Sequence, residues 1–456
     1  MRDFSLLYQL TYPLVRYTLK IFYKKIEVKD AHHYPKSGPV LICCTHTNAF
    51  MDPILLQTNG GTMRQIYSLA RGDAFKKGIM SWLLKQWKLI PIYRISEGYE
   101  NLAKNNETFE RSYEVLERKN SLIMFPEGIC VQEKRLRKLK KGAARIALGV
   151  EQRNCFNFNI PLLPVCINYQ SPKETRTNVF VCYGKPINSK DYVERFKLDK
   201  ATAINDLTSD LQQAMSELYL HINNKENDSF VEDVLEVYKP ELMLKKNLDQ
   251  NDLEKDFEIN KEIVQSINKT EQHNISEMQN VKEAVSTYTV HLKKHEVTNM
   301  LLSSKALGQL HWGRTLFDLI VLLVGLPAYL ISLATNYPPY KLGYTLANKI
   351  AKNVEFNASI NVAFSMLGWL IYYGLQLLTV ALVFRDWKML IVYALVVPLT
   401  GLFGLKYHPL LKNALARYKL FSLKRNNKTV FEQLINDGNR VMGLLDEIMM
   451  ANTRKA

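Results

Sequence analysis

Short apolar runs rich in Val, Ile, Leu and Cys recur between residues 39 and 186, at 40–44, 89–93, 121–125, 161–168 and 179–183. Each is too short for a helix and is bounded by turn-forming or charged residues, so these runs predict strands. Between them, residues 75–87, 108–118 and 142–151 place apolar positions three and four apart, which predicts helices. Strands alternating with helices predict an α/β domain, a mainly parallel sheet flanked by helices, over residues 31–222. Sheets of this kind carry their chemistry in the loops at strand ends.

Other periodicities govern the rest of the chain. Residues 1–30 mix Phe4, Tyr8, Tyr12, Tyr17, Phe22 and Tyr23 with Arg16, Lys20, Lys24 and Lys25. They predict an amphipathic helix that either lies in a membrane interface or packs on its own domain. The interspersed cations leave no clean apolar core for a cleavable signal peptide. Residues 223–310 are rich in Asn, Lys, Glu and Asp, and predict a polar helical connector or a partly disordered linker. A helical membrane region is predicted at 311–405, with apolar segments at 316–334, 362–384 and 389–405. The last two form a hairpin across Arg385–Lys388. A basic cytoplasmic tail, 406–456, begins with seven cations (Lys406, Lys412, Arg417, Lys419, Lys424, Arg425 and Lys428) before Glu432. If that cluster and the catalytic domain share the cytoplasmic side, three crossings give the wrong parity. The segment at 316–334, which contains Pro327 and precedes Pro338 and Pro339, is therefore expected to enter and return or to lie at the interface.

Composition narrows the classes. In 456 residues, 47% hydrophobic and 23% charged, a wholly disordered or collagen-like chain is excluded. The net charge of +16 favours anionic partners, whether nucleic acid, phosphorylated metabolites or acidic headgroups, without choosing among them. All six cysteines fall at positions 43–182 without zinc-ribbon spacing, which predicts a reduced, cytosol-facing domain.

The chemistry gathers just beyond the apolar runs. His46 and Asp52 follow the first, in Thr45-His46-Thr47-Asn48-Ala49-Phe50-Met51-Asp52-Pro53. An imidazole can accept a proton near neutral pH, and a carboxylate on its other nitrogen fixes the tautomer. On one unbroken helix the two would lie about 240° apart at ~100° per residue, so pairing requires His46 in the loop before the helix. Ile90-Pro91-Ile92-Tyr93-Arg94 sets a guanidinium after a strand, where it can bind phosphate bidentately. Phe125-Pro126-Glu127-Gly128 sets a carboxylate and a glycine after another, the glycine allowing close backbone approach. Ile160-Pro161-Leu162-Leu163-Pro164-Val165 is a proline-bearing strand. The run Lys134–Lys141 holds six cations in eight residues, read either as a solvated face or as an anion-binding lip.

In this order the four blocks resemble the lysophospholipid and glycerol-3-phosphate acyltransferase family. The resemblance covers about residues 20–215 and extends to Asn106-Glu107-x-Phe109, Lys141-Gly142-Ala143-Ala144-Arg145 and Tyr183-Gly184-Lys185-Pro186-Ile187. Five residues separate His46 and Asp52 where the commonest family form has four, and Cys130 stands where the third block often has Ser. The longer spacing is similar to the branch of fungal glycerol-3-phosphate/dihydroxyacetone-phosphate acyltransferases and bacterial relatives, which also append membrane segments.

The resemblance implies a glycerolipid acyltransferase-like fold in which His46 is the base and Asp52 its partner. It implies Arg94, Glu127, Gly128, Asn48 and Lys141 at the substrate site, no metal and no cofactor. The donor would be an acyl-CoA or acyl carrier protein thioester. The acceptor would be glycerol-3-phosphate or 1-acyl-glycerol-3-phosphate, with membrane lipids rather than nucleic acid as partners. Another lysophospholipid acceptor, a non-catalytic membrane scaffold, and a metal hydrolase using His46, Asp52 and Glu127 are the rival readings.

Overall fold

The computed structural model describes residues 5–61, 64–75, 78–92, 102–302 and 312–453. The chain divides into two compact units, Met1–His221 with Ala351–Val362, and Ile222–Ile350 with Ala363–Ala456.

The first unit is built on an eight-stranded sheet: β1 (Lys25–Lys29), β2 (Val40–Cys44), β3 (Ile66–Arg71), β4 (Leu89–Ile92), β5 (Ser121–Met124), β6 (Pro161–Tyr169), β7 (Asn178–Tyr183) and β8 (Ile187–Asn188). The spatial order is β1-β7-β6-β2-β5-β3-β4, with β8 on β6. Only the β6–β7 and β6–β8 pairs are antiparallel, so the sheet is mixed but mostly parallel, as the alternating pattern predicts. β2 and β5 are buried throughout, as strands covered on both faces must be. Sequence periodicity leaves out β1, whose charges Lys25, Glu27 and Lys29 suit a sheet edge, and β3, a six-residue run with Ser and Arg in it.

Strand alternation sorts the core into two faces. Leu41, Cys43, Leu122, Met124, Leu162 and Cys166 pack on one face beneath α5 (Gly142–Arg153) and α7 (Lys200–Leu218). Ile42, Cys44, Ile123, Leu163, Val165 and Ile167 pack on the other, beneath α1 (Leu6–Phe22) and α2 (Met51–Asn59). α1 buries Tyr8, Tyr12, Leu19 and Phe22 yet exposes Leu6, Leu10, Tyr17 and Ile21, so it packs on its own domain and still presents an apolar stripe. Residues 351–362 join this unit. Ala358 and Val362 enter the second core face, Phe356 meets the Phe50 ring at 6.0 Å, and Gln132 Nε2 donates to the Val354 carbonyl at 3.3 Å.

In the second unit the expected polar connector is not a solvated or disordered arm. Helices Leu253–His273 and Ile275–Lys294 pack with the chain's last helix, Lys428–Thr453. Ile259, Ile263, Ile267, Val281, Val285 and Tyr288 are buried with Leu434, Val441 and Leu445. The apolar stripe is narrow within a charged composition, and its partner lies some 150 residues away, so the local sequence reads as polar. Tyr238 Oη donates to Asp446 Oδ1 at 2.6 Å, and His291 Nδ1 meets Asp437 Oδ2 at 2.9 Å. The predicted tail 406–456 is therefore not free: its first part continues a long helix and the rest completes this bundle.

Among the described residues, three helices are long and apolar enough to cross a membrane: Phe317–Ile350, Val354–Phe384 and Trp387–Asn426. Their partners give their directions. Asp318 pairs with Arg417 at 2.7 Å, Tyr407 Oη donates to the Leu322 carbonyl at 2.5 Å, and Asn336 Nδ2 donates to the Val397 carbonyl at 3.2 Å. Numbers rise on one helix as they fall on the other, so residues 318–336 run antiparallel to Trp387–Asn426. Tyr373 Oη donates to the Ala394 carbonyl and Tyr393 Oη to Gln376 Oε1, so the helix entering the Arg385–Asp386 turn is antiparallel to the same partner. Residues 318–336 and the Asn357–Phe384 helix thus point the same way. The chain has to come back between them, along the part of helix Trp312–Ile350 that holds Pro338 and Pro339. Prolines inside a helix remove N–H donors and bend it.

In a sealed bilayer with the native cysteines removed, a cysteine in the Arg385–Asp386 turn should react with an impermeant thiol reagent from one face. Cysteines at Lys349 and Asn452 should react only from the other. Labelling of Asn452 from the same face as the turn would refute the return of the chain.

Candidate functional site

The carboxyl ends of β2 and β5, parallel neighbours in register from Val40↔Ser121 to Cys43↔Met124, deliver two loops to one place. The β2 loop is tied to β6: Thr45 N–H donates to the Val165 carbonyl at 3.2 Å, and Ile167 N–H donates to Thr45 Oγ1 at 3.0 Å. His46 follows in irregular backbone, and Asp52 lies in the first turn of α2. That is the arrangement the spacing argument requires. The intervening turn carries Ala49 at φ 38°, a left-handed conformation that helps five residues fit between the pair. Ala49 N–H reaches Cys130 Sγ at 3.1 Å.

His46 Nδ1 and Asp52 Oδ2 are 2.9 Å apart. The same oxygen accepts Thr47 N–H at 3.0 Å and Asn48 N–H at 2.9 Å, while Oδ1 accepts Tyr169 Oη–H at 2.7 Å. Asp52 has no exposed surface, and four donors are what make a buried carboxylate tolerable. An acceptor at Nδ1 fixes the neutral tautomer with Nε2 as the free base. The His46 ring is 17% exposed and stacks on Phe125, with centroids 3.9 Å apart and planes inclined at 16°.

Glu127 is committed to backbone. Oε1 accepts His46 N–H at 3.1 Å and Oε2 accepts Arg137 N–H at 3.3 Å, so one carboxylate pins the His46 loop to the loop that follows β5. Burial raises its pKa, outweighing the two N–H donors and the positive groups around it. Gly128 is at φ 70° and donates its N–H to the Phe125 carbonyl at 3.0 Å, so glycine permits a tight turn here. Asn48 is buried, its Nδ2 donating to the Pro172 carbonyl at 2.8 Å, and its Oδ1 and Thr47 Oγ1 lack partners among the described residues. Lys141 is exposed at the start of α5. Arg94 lies outside the described residues. In the basic run, Leu136 and Leu139 plug into the core and Arg137 pairs with Glu133 at 2.8 Å, whereas Lys138, Lys140 and Lys141 are exposed.

Donor atoms of His46, Asp52 and Cys130 lie within 4.8 Å of one another. A cation fits them poorly. His46 Nδ1 is already held by Asp52, and burial, reinforced by the Asp52 charge, pushes the Cys130 thiol up, so a cation would have to displace the one and deprotonate the other. The spacing argument missed Tyr169 and Phe125. Tyr169 could have been found by period-two alternation, since it continues the Val165–Ile167 face, but nothing local marks it as a partner of Asp52.

Residues 25–168 match the family described as Acyltransferase. Two Saccharomyces cerevisiae proteins are similar. Glycerol-3-phosphate O-acyltransferase 2 is 28% identical over 114 residues, 23% of this chain and 15% of that protein. Glycerol-3-phosphate O-acyltransferase 1 is 24% identical over 152 residues, 32% of this chain and 20% of that protein. The matches thus span a fifth or less of these curated relatives. The crystal structure of the 1-acyl-sn-glycerophosphate acyltransferase PlsC from Thermotoga maritima aligns with TM-score 0.33 at 18% identity, covering 48% of this chain and 83% of that one.

Glu127→Gln replaces one backbone acceptor by an NH2 group that faces an N–H donor, and should cost about 1–3 kcal/mol. A carboxyl titrating above its ordinary 4.5 contributes stability that is full below that value and lost as pH rises through the raised one. Thermal melts of both proteins across pH should show the wild-type advantage shrinking over that window. A pH-independent difference would mean the Glu127 carboxyl is not shifted upward.

Proposed function

We propose that this acyltransferase-family chain transfers a fatty acyl group from a thioester, acyl-CoA or acyl carrier protein, to a hydroxyl of a glycerol phosphate. The observation that carries the reading is the His46–Asp52 pair, with Nδ1 engaged and Nε2 left without a partner among the described residues. His46 Nε2 takes the proton of the acceptor hydroxyl as its oxygen attacks the thioester carbonyl. The tetrahedral intermediate collapses with cleavage of the C–S bond, and the imidazolium proton goes to the departing thiolate. Products are the ester and a free thiol, with no covalent enzyme intermediate.

The printed activity of the yeast relatives favours glycerol-3-phosphate as acceptor, and 1-acyl-glycerol-3-phosphate is the alternative. Arg94 is proposed to bind the acceptor phosphate, with Asn48 and Lys141 near the acceptor and Glu127 and Gly128 holding the loops that shape the site. The exposed stripe of α1 and the three apolar helices support an integral membrane protein. We read the catalytic unit as cytoplasmic, a reading supported by six cysteines that form no disulfide.

His46→Ala should lower acyl transfer by about 10²–10⁴-fold while the protein stays folded, because the ring is partly exposed and its removal opens no core. Asp52→Asn should also cripple turnover by misorienting the imidazole. Purified protein assayed with both acceptors, each offered acyl-CoA and acyl carrier protein thioesters, tests the reading. Full activity of His46→Ala would end it.

Arg94→Lys should raise the acceptor KM about tenfold or more and leave the donor KM unchanged, since an ammonium cannot make a bidentate phosphate contact. An unchanged acceptor KM would remove Arg94 from the phosphate site.

A further inference from the structure

Base orientation depends on which way the Asp52 carboxylate is turned, and only one of its oxygens faces His46. Oδ2 carries the contact to Nδ1 together with two backbone N–H groups. Among the described residues Oδ1 is held by a single donor, the hydroxyl of Tyr169, at 2.7 Å. Tyr169 is the last residue of β6, 8% exposed, and its ring lies 6.0 Å from that of Tyr23. Its position is set by the sheet. β6 is fixed beside β2 by register, and Thr45, one residue before His46, is bonded to Val165 and Ile167 of the same strand. One strand therefore carries both the tie to the base loop and the donor to its carboxylate. Burial, followed by the Asp52 charge, pushes the Tyr169 phenol well above its ordinary range, so it remains a donor.

We propose that Tyr169 is a positioning residue for the base: by donating to Asp52 Oδ1 it fixes the rotation of the carboxylate and keeps Oδ2 on His46 Nδ1. The proposal rests on the reading of His46 and Asp52 as base and partner. Without the hydroxyl, Oδ1 is a buried oxygen with no donor. The carboxylate is then free to turn toward other N–H groups, and the Oδ2 contact that stabilises an imidazolium at Nδ1 is loosened. Other ionisable groups face the pair: Glu127 after β5, Cys130 in the loop beyond it, Cys44 on β2, Tyr23 after α1 and Tyr219 after α7. Among the described residues, the hydrogen bonds to Asp52 come from His46, Thr47, Asn48 and Tyr169 alone.

Tyr169→Phe is the test and Tyr183→Phe its matched control. Tyr183 lies in the same core face, 2% exposed, and its hydroxyl donates to the Gly60 carbonyl at the same 2.7 Å, away from Asp52. Each variant loses one buried tyrosine hydroxyl, so Tyr183→Phe controls for removal of a buried hydroxyl in this core. The full-length protein in detergent is read in two ways: by kcat and KM with acyl-CoA and each of the two acceptors, and by pH titration of the His46 ring in protein labelled with 13C at histidine Cε1, assigned with His46→Asn.

The expected result for Tyr169→Phe is a kcat lowered about 10–100-fold with KM held within about twofold. The His46 titration should move downward, because an imidazolium that loses part of its Oδ2 contact is less stabilised. Tyr183→Phe should change neither. Equal kcat and equal titration in the two variants would reduce Tyr169 to a packing residue and overturn the proposal. An active His46→Ala would instead defeat the base reading, and the titration would still report whether Tyr169 acts on the pair.

Discussion

A carboxylate without exposed surface governs the site. Asp52 is held in α2 against the sheet, where an ionised group survives only if its lone pairs are met by donors. Meeting them dictates the surrounding chain. Residues 45–48 must curl so that Thr47 and Asn48 aim their N–H groups at Oδ2. The imidazole of His46 must approach through Nδ1, and β6 must end in a residue whose hydroxyl reaches Oδ1. Satisfying one charge therefore fixes a loop, a ring and a strand end together, and it leaves Nε2 as the side of the imidazole that can do chemistry.

Glu127 imposes the same condition on the neighbouring loop. Its two oxygens take N–H groups from residues 46 and 137, so the backbone on either side of the site is cross-linked through a single buried side chain. Phe125 supports the imidazole from below by stacking. The parallel course of β2 and β5 makes this economical, because both strands end on the same edge of the sheet and their loops need no long excursion to meet. Residues 351–362 add Phe356 against Phe50 and a carbonyl against Gln132, so the residues that open the helix Asn357–Phe384 belong to the same unit as His46.

The second unit obeys a different constraint. Its apolar helices expose most of their surface, and polar bonds tie the helix Trp312–Ile350 to Trp387–Asn426: Asp318 with Arg417, Tyr329 with His408, and Asn336 with the carbonyl of Val397. In a lipid surround, where apolar contact gives no preference for protein over lipid, such bonds set which helices pair and in what direction.

The sequence alone determined the alternation that makes an α/β sheet, the blocks that place His46, Asp52 and Glu127 at strand ends, and the three long apolar stretches. Each of these is a local property of composition or period. It also required His46 to lie before a helix, because a 100° step forbids the pair on one. Tertiary structure decided the rest. The charged residues 223–302 became a packed bundle because their narrow apolar stripes are covered by the distant helix Lys428–Thr453, which no local window reveals. β1 found its place on β7, some 150 residues away, although its alternating charges resemble any exposed segment. Glu127 became a tie between loops and Gly128 a turn, roles fixed by which backbone groups lie within reach. Tyr169 met Asp52 across 117 residues because parallel pairing of β2 and β6 brings their ends together, and hydrogen-bond partners depend on that register rather than on sequence spacing.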